Sequence, residues 1–202
     1  MKSLSRIFWL FAVWYFVHCQ PLFAYPLENV PPDRESSVFL LVAEQNTPYP
    51  RFINTVILVN RHSNQGHIGI VLNRQHNITL DKLFPSMEGA KNIRLFAGGP
   101  VFPKEIFFVV RGGDPVSGVQ YISRTTYLSS DLTLLADILR GKQGRSGLRV
   151  ANGIATWKPG QLEGEIQLGA WFILPLDERI IFDTPHEMIW QELHRRRSRA
   201  VK

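Results

Sequence analysis

The chain has 202 residues, 45% of them apolar and 20% charged, the balance of an ordinary globular protein of one domain. Its formal charge of +6 sits at the ends, in Lys2 and Arg6 and in Arg195, Arg196, Arg197, Arg199 and Lys202. Taking those seven from 23 leaves 16 basic against 17 acidic side chains, which argues against a basic nucleic-acid-binding face on the body. Cys19 is the only cysteine, so a body without the N-terminal segment has no disulfide, thiolate-bound zinc or cysteine nucleophile.

Residues 1–24 read as a secretory signal: a basic start, an apolar run over 7–17, then Pro21 and Ala24. The expected location is therefore exported, periplasmic or secreted, with a retained anchor as the rival reading. Residues 25–36, with Pro26, Pro31 and Pro32, form an extended linker. The domain is expected over 37–195, with a basic tail at 196–202.

It opens on a buried strand at 37–42, followed by a strand at 55–59. Asn64-Gln65-Gly66 predicts a hairpin turn into a third strand at 67–72. A helical turn at 80–84 has Thr79 as its cap. Strands follow at 94–97, 105–110 and 119–122. Ser129 is expected to cap a helix through Arg140 with Leu132, Leu135, Ala136 and Leu139 inside. The stretch 140–149, with Lys142, Arg145 and several glycines, reads as a basic surface loop. Strands at 148–155, 171–174 and 179–182 complete the sheet. Thr184-Pro185-His186-Glu187 has the pattern of a capping box opening the last helix, with Ile189, Trp190 and Leu193 facing the core.

Residues 151–171 organise the whole: a strand, a turn punctuated by Pro159 and Gly160, a short helix, and a second strand. Leu162, Ile166 and Gly169-Ala170 recur at helical spacing. Trp157 and Trp171 bracket the unit, and each can bury a large apolar surface. Glu163 and Glu165 are two apart, so on a helix they point away from each other and cannot form a facing acid/base pair; Glu163 is expected to cap the turn.

Trp157 to Trp171, W-K-P-G-Q-L-E-G-E-I-Q-L-G-A-W, resembles the signature of the AlgH/YqgE family. Leu40-Leu41-Val42-Ala43 is similar to its opening strand, Gly69-Ile70-Val71-Leu72-Asn73-Arg74 to its G-x-V-L-N-[RK] strand end, and Phe96-Ala97-Gly98-Gly99-Pro100-Val101 to its F-x-G-G-P-V turn. Ile181-Phe182 and Trp190 resemble its closing elements, so the likeness spans about 37–195. Where the family usually reads G-Y-A-G-W, this chain has Gly153-Ile154-Ala155-Thr156-Trp157. The resemblance implies a single α+β domain with a branched or barrel-like, mostly antiparallel sheet and about three helices. It implies no catalytic residue set, and typical members look cytoplasmic, which is the alternative location.

No cofactor or metal site is expected. Gly98-Gly99-Pro100 lacks the phosphate-cradling patterns and reads as a sharp turn. His62 and His67 flank a hairpin, but zinc requires three or four ligands. No G-x-S-x-G elbow supplies a nucleophile. The expected function is a non-enzymatic binding or regulatory module with apolar grooves and no convergent titratable cluster. The candidate surface is Asn73, Arg74, Gly98, Gly99, Pro100, Trp157, Gly160, Gln161 and Glu163, chosen because strand ends and loops carry function. One alternative is an enzyme with a site assembled around Asn73, Gly98 and Glu163. Another is a nucleic-acid-binding transcriptional regulator using the arginine-rich end. A protein partner or an anionic envelope surface met by that end is the preferred partner class.

Overall fold

The computed structural model describes residues 38–62, 66–112, 116–142 and 145–200. The signal and linker readings fall outside these residues, as do most of the Asn64-Gln65-Gly66 turn and residues 201–202. Ten strands are described: β1 (Val38–Ala43), β2 (Val56–His62), β3 (Gly66–Val71), β4 (Gln75–Thr79), β5 (Arg94–Ala97), β6 (Val101–Gly112), β7 (Gln120–Tyr121), β8 (Thr126–Ser129), β9 (Arg145–Trp157) and β10 (Trp171–Pro175). Four α-helices accompany them: α1 (Leu132–Leu139), α2 (Gln161–Gln167), α3 (Glu178–Phe182) and α4 (Ile189–Ala200).

The strands join in the order β10-β1-β2-β3-β9-β6-β8-β7, with the β4–β5 pair attached to β9 as a side branch. The sheet is thus open and branched, not a barrel, and antiparallel except where β5 runs parallel to β9. The branch falls at Gly153. On one edge of β9, residues 150–152 pair with β5, and 155–157 then pair with β3. Gly153 takes φ +71°, and a Cβ there would stand 2.4 Å from the Gly99 carbonyl oxygen. Gly98 approaches just as closely, since a Cβ on it would lie 2.2 Å from the Gly153 oxygen. The Gly98-Gly99 pair is therefore where two backbones cross.

The β1 sequence VFLLVA is buried along its length, which explains its unbroken apolar run. Val38, Leu40 and Val42 face α3 and α4 through Ile180, Ile181, Ile189 and Leu193. Phe39, Leu41 and Ala43 face the other way, onto Leu162 of α2 and onto Trp157 and Trp171. A third cluster packs α1, through Leu135 and Ile138, on Phe108, Val110 and Val150.

Several elements differ from expectation. Residues 179–182 form the short helix α3, begun by Asp177, whose carboxylate accepts from Arg179 N–H. The capping box does not form: α4 starts at Ile189, Thr184 Oγ1 donates to Arg179 O, and Glu187 meets His186 at 3.0 Å. Asp131, not Ser129, caps α1, accepting from Thr133 and Leu134 N–H, and Leu132 points outward. Arg149, read both as the end of a basic surface loop and as part of the strand at 148–155, belongs to β9 and is 8% exposed, so the surface-loop reading fails there. Its guanidinium donates to Leu72 O at 2.7 Å and to Ile181 O, and stacks on Phe96. Burial among carbonyls rather than carboxylates pushes its pKa down to about 10.

The arginine-rich end is also not a free tail. It forms the last turns of α4, where Arg195 and Arg196 pair with Glu192, Arg196 also with Asp177, and Arg197 with Glu44 while lying over Phe172.

Candidate functional site

Between α2 and the sheet face lies a cleft of about 260 Å³. Strand pairing builds its floor. Arg61 of β2 is opposite His67 of β3, and His67 is opposite Trp157 of β9. Residues opposite each other share a face. Phe39 of β1 and Ile173 of β10 complete the floor, and Leu162, Glu163, Ile166 and Gln167 of α2 form the roof.

His67 is 4% exposed, whereas the Glu163 side chain is 53% exposed. Their contact, Nε2 to Oε1, is 2.9 Å, with the imidazole N–H donating to the carboxylate. The Glu163 carboxyl is held below the usual carboxylate range, first by its own backbone N–H, then by His67, with the Arg61 charge adding a smaller pull. The other imidazole nitrogen, Nδ1, is buried and has no hydrogen-bond partner among the described residues. Arg61 lies 5.4 Å over the Phe39 ring and makes no ion pair within 4 Å among the described residues. Ile173, on the cleft, is 40% exposed.

Beneath α2, Glu165 ties the unit together. Its Oε2 accepts from the indole N–H of Trp157 at 3.0 Å and of Trp171 at 2.8 Å, and its Oε1 from Gln161 Nε2 at 3.0 Å. Both tryptophans are buried, as expected. The helix begins at Gly160, φ +78°, which has no side chain to cap it, and Glu163 reaches only its own backbone N–H in the first turn. Gln161 Oε1 instead accepts from Lys158 N–H.

The candidate residues divide into two groups. Asn73 accepts from Val56 N–H and donates to Asn54 O, while Arg74 donates to Ile53 O, so both fasten the loop before β2. Burial lowers the Arg74 pKa. Gly98 joins them through backbone bonds, Val71 N–H to Gly98 O and Ala97 N–H to Arg74 O, with Gly99 at the strand crossing and Pro100 exposed. Trp157, Gly160, Gln161 and Glu163 lie at the α2 unit. Asn73 and Glu163 do not converge: the Val56 end of β2 is five residues from Arg61, about 16 Å along a strand.

The α2 cleft instead gathers Arg61, His67, Glu163 and Gln167, a convergent polar cluster where apolar grooves without one were expected. Arg61 and Phe39 went unnoticed in the sequence, and His67 was weighed only as half of a metal pair. The register places His62 opposite Gly66, so the two histidines are not a facing pair. The available signal was a charge and an imidazole interrupting strands that are otherwise apolar. Among the described residues no group of three or more His, Cys, Asp or Glu side chains has metal-ligating geometry.

The model of the AlgH-like family matches residues 40–201. A UPF0301 protein of Xylella fastidiosa is 35% identical over 159 residues, covering 75% of this chain and 84% of the relative. One from Burkholderia vietnamiensis is 35% identical over 157 residues, covering 73% and 80%. The solution structure of the AlgH protein from Pseudomonas aeruginosa superposes with TM-score 0.64 at 27% identity, over 78% of this chain and 86% of that one. A crystal structure from Corynebacterium diphtheriae gives 0.68 at 25% identity, over 87% and 94%. Among the described residues no helix is long and apolar enough to cross a membrane. The match to the AlgH protein of Pseudomonas aeruginosa counts against the expectation of an exported chain, whose signal reading rests on residues outside those described. Family model, relatives and fold agree that this chain belongs to the AlgH-like family.

Proposed function

We propose that the protein is a binding module whose recognition site is the cleft between α2 and the sheet. The observation that carries this reading is the meeting of Arg61 and Glu163, opposite in charge and not ion-paired to each other, above the apolar surface of Phe39, Leu162, Ile166 and Ile173. Ligand sites are usually concave and apolar with a few placed polar groups. At about 260 Å³ the cleft falls just below the usual range for drug-sized ligands, which favours a small metabolite over a nucleotide. A second reading, chemical turnover of that ligand, is favoured by the His67–Glu163 contact, which joins two titratable groups at the same site.

Titration of the isotope-labelled protein with a library of small polar molecules tests the site. Hits are expected to shift the backbone amides of Phe39, Arg61, His67 and Ile166. Hits confined to Asn73, Arg74 and Gly98 would overturn the assignment. Recovery of a hit chemically altered would select turnover over binding alone.

A further inference from the structure

This inference rests on the cleft being the binding site and concerns what it holds. Arg61 has no carboxylate within 4 Å among the described residues, only the Phe39 ring beneath it. Glu163 faces the same space, fixed by His67. The two line one cleft without an ion pair between them within 4 Å. A ligand carrying only negative charge would be drawn to Arg61 and repelled by Glu163, and a cation the reverse. A neutral apolar ligand would cover the Arg61 charge and give it no partner, which is costly. A molecule with both charges on one short skeleton partners both groups.

We propose that the cleft binds a small zwitterion of the free α-amino acid class with a branched apolar side chain. Its carboxylate meets the Arg61 guanidinium, its ammonium meets Glu163, and its side chain lies against Leu162, Ile166 and Ile173. His67 acts as a positioning residue: it holds Glu163 Oε1 and does not touch the ligand.

The test is calorimetric and NMR titration of the full chain with L-leucine, and with N-acetyl-L-leucine and L-leucinamide, each of which lacks one of the two charges. L-leucine is expected to bind and to shift the Phe39, Arg61 and Ile166 amides, and each analogue to bind at least tenfold more weakly. R61M and E163Q are each expected to weaken L-leucine at least tenfold while their spectra remain those of the folded protein. If N-acetyl-L-leucine binds in the cleft as tightly as L-leucine, the zwitterion assignment falls and the binding site stands. If L-leucine produces no heat and no shifts, the assignment also falls. The library titration then decides separately whether the cleft is a site at all.

Discussion

Glu165 shows how much one carboxylate can hold. Trp157 and Trp171 come from different strands, and each donates its indole N–H to the same oxygen. Both indoles are buried, so neither donor finds water if that oxygen is removed. Leaving a buried donor unpaired costs about 1–3 kcal/mol, and here two are released together. E165A is therefore expected to destabilise the protein by about 2–4 kcal/mol, read from the urea midpoint. E165Q keeps an oxygen that can accept and should cost clearly less. In a double-mutant cycle, W171F should lose most of its effect once Glu165 is gone. The sequence made both tryptophans visible as anchors, but not the carboxylate between them. The sequence singles out Glu163 as the expected cap and gives Glu165 no role. Only the 100° advance per residue, together with β10 returning alongside β1, decides that Glu165 faces inward while Glu163 faces the cleft.

At the scale of elements, legibility tracked length and local patterning. β1 could be read directly, since a run buried on both faces leaves no alternation to misjudge. Residues 179–182 have the same apolar, β-branched character, yet they form α3 because Asp177 caps them and Ile180 and Ile181 face the core. Four residues do not distinguish the two periods. The arginines of α4 were recognisable, but their partners were not. Glu44 and Asp177 reach them only through the tertiary fold. Burial works against ionisation of Asp177, but hydrogen bonds from Arg179 and Arg196 outweigh it and hold the carboxyl below its usual range; Arg195 and Arg196 do the same for Glu192. A depressed folded pKa means stability that is present above the unfolded value, near 4, and lost as pH falls through the folded one. Amide exchange in α4 is therefore expected to accelerate below about pH 4, before exchange in β1 does. D177N should remove part of that acid sensitivity. Because the arginines of these pairs are 40–53% exposed and solvent screens the charges, the effect at neutral pH should be small.

Over the whole molecule, the branch in the sheet decides which side chains meet. β9 is shared by β6, β5 and β3, and the last of these pairings sets His67 beside Trp157 and beneath α2. No local pattern announces a strand that changes partners along one edge. The motif Phe96-Ala97-Gly98-Gly99 could be read as a turn, but the reason for its glycines lies 55 residues later, at Gly153. The branch can be tested by comparing two glycines with the same backbone angle. Gly153 has φ +71° and Gly118 has φ +73°. A Cβ on Gly118 meets nothing within 4 Å among the described residues, whereas one on Gly153 would lie 2.4 Å from Gly99 O and 3.0 Å from Val101 O. G118A should therefore cost only the left-handed penalty, about 1–2 kcal/mol. G153A carries that penalty plus the separation of two backbones that have no flexible side chain to yield, and should lose at least about 2 kcal/mol more. Thermal or urea unfolding of the two variants measures the difference directly. Equal losses would mean that the strand crossing tolerates a methyl group and that the branch is not held by close backbone contact. A large excess for G153A, with weakened ligand binding in the cleft, would show that the crossing which divides the sheet also sets the position of His67.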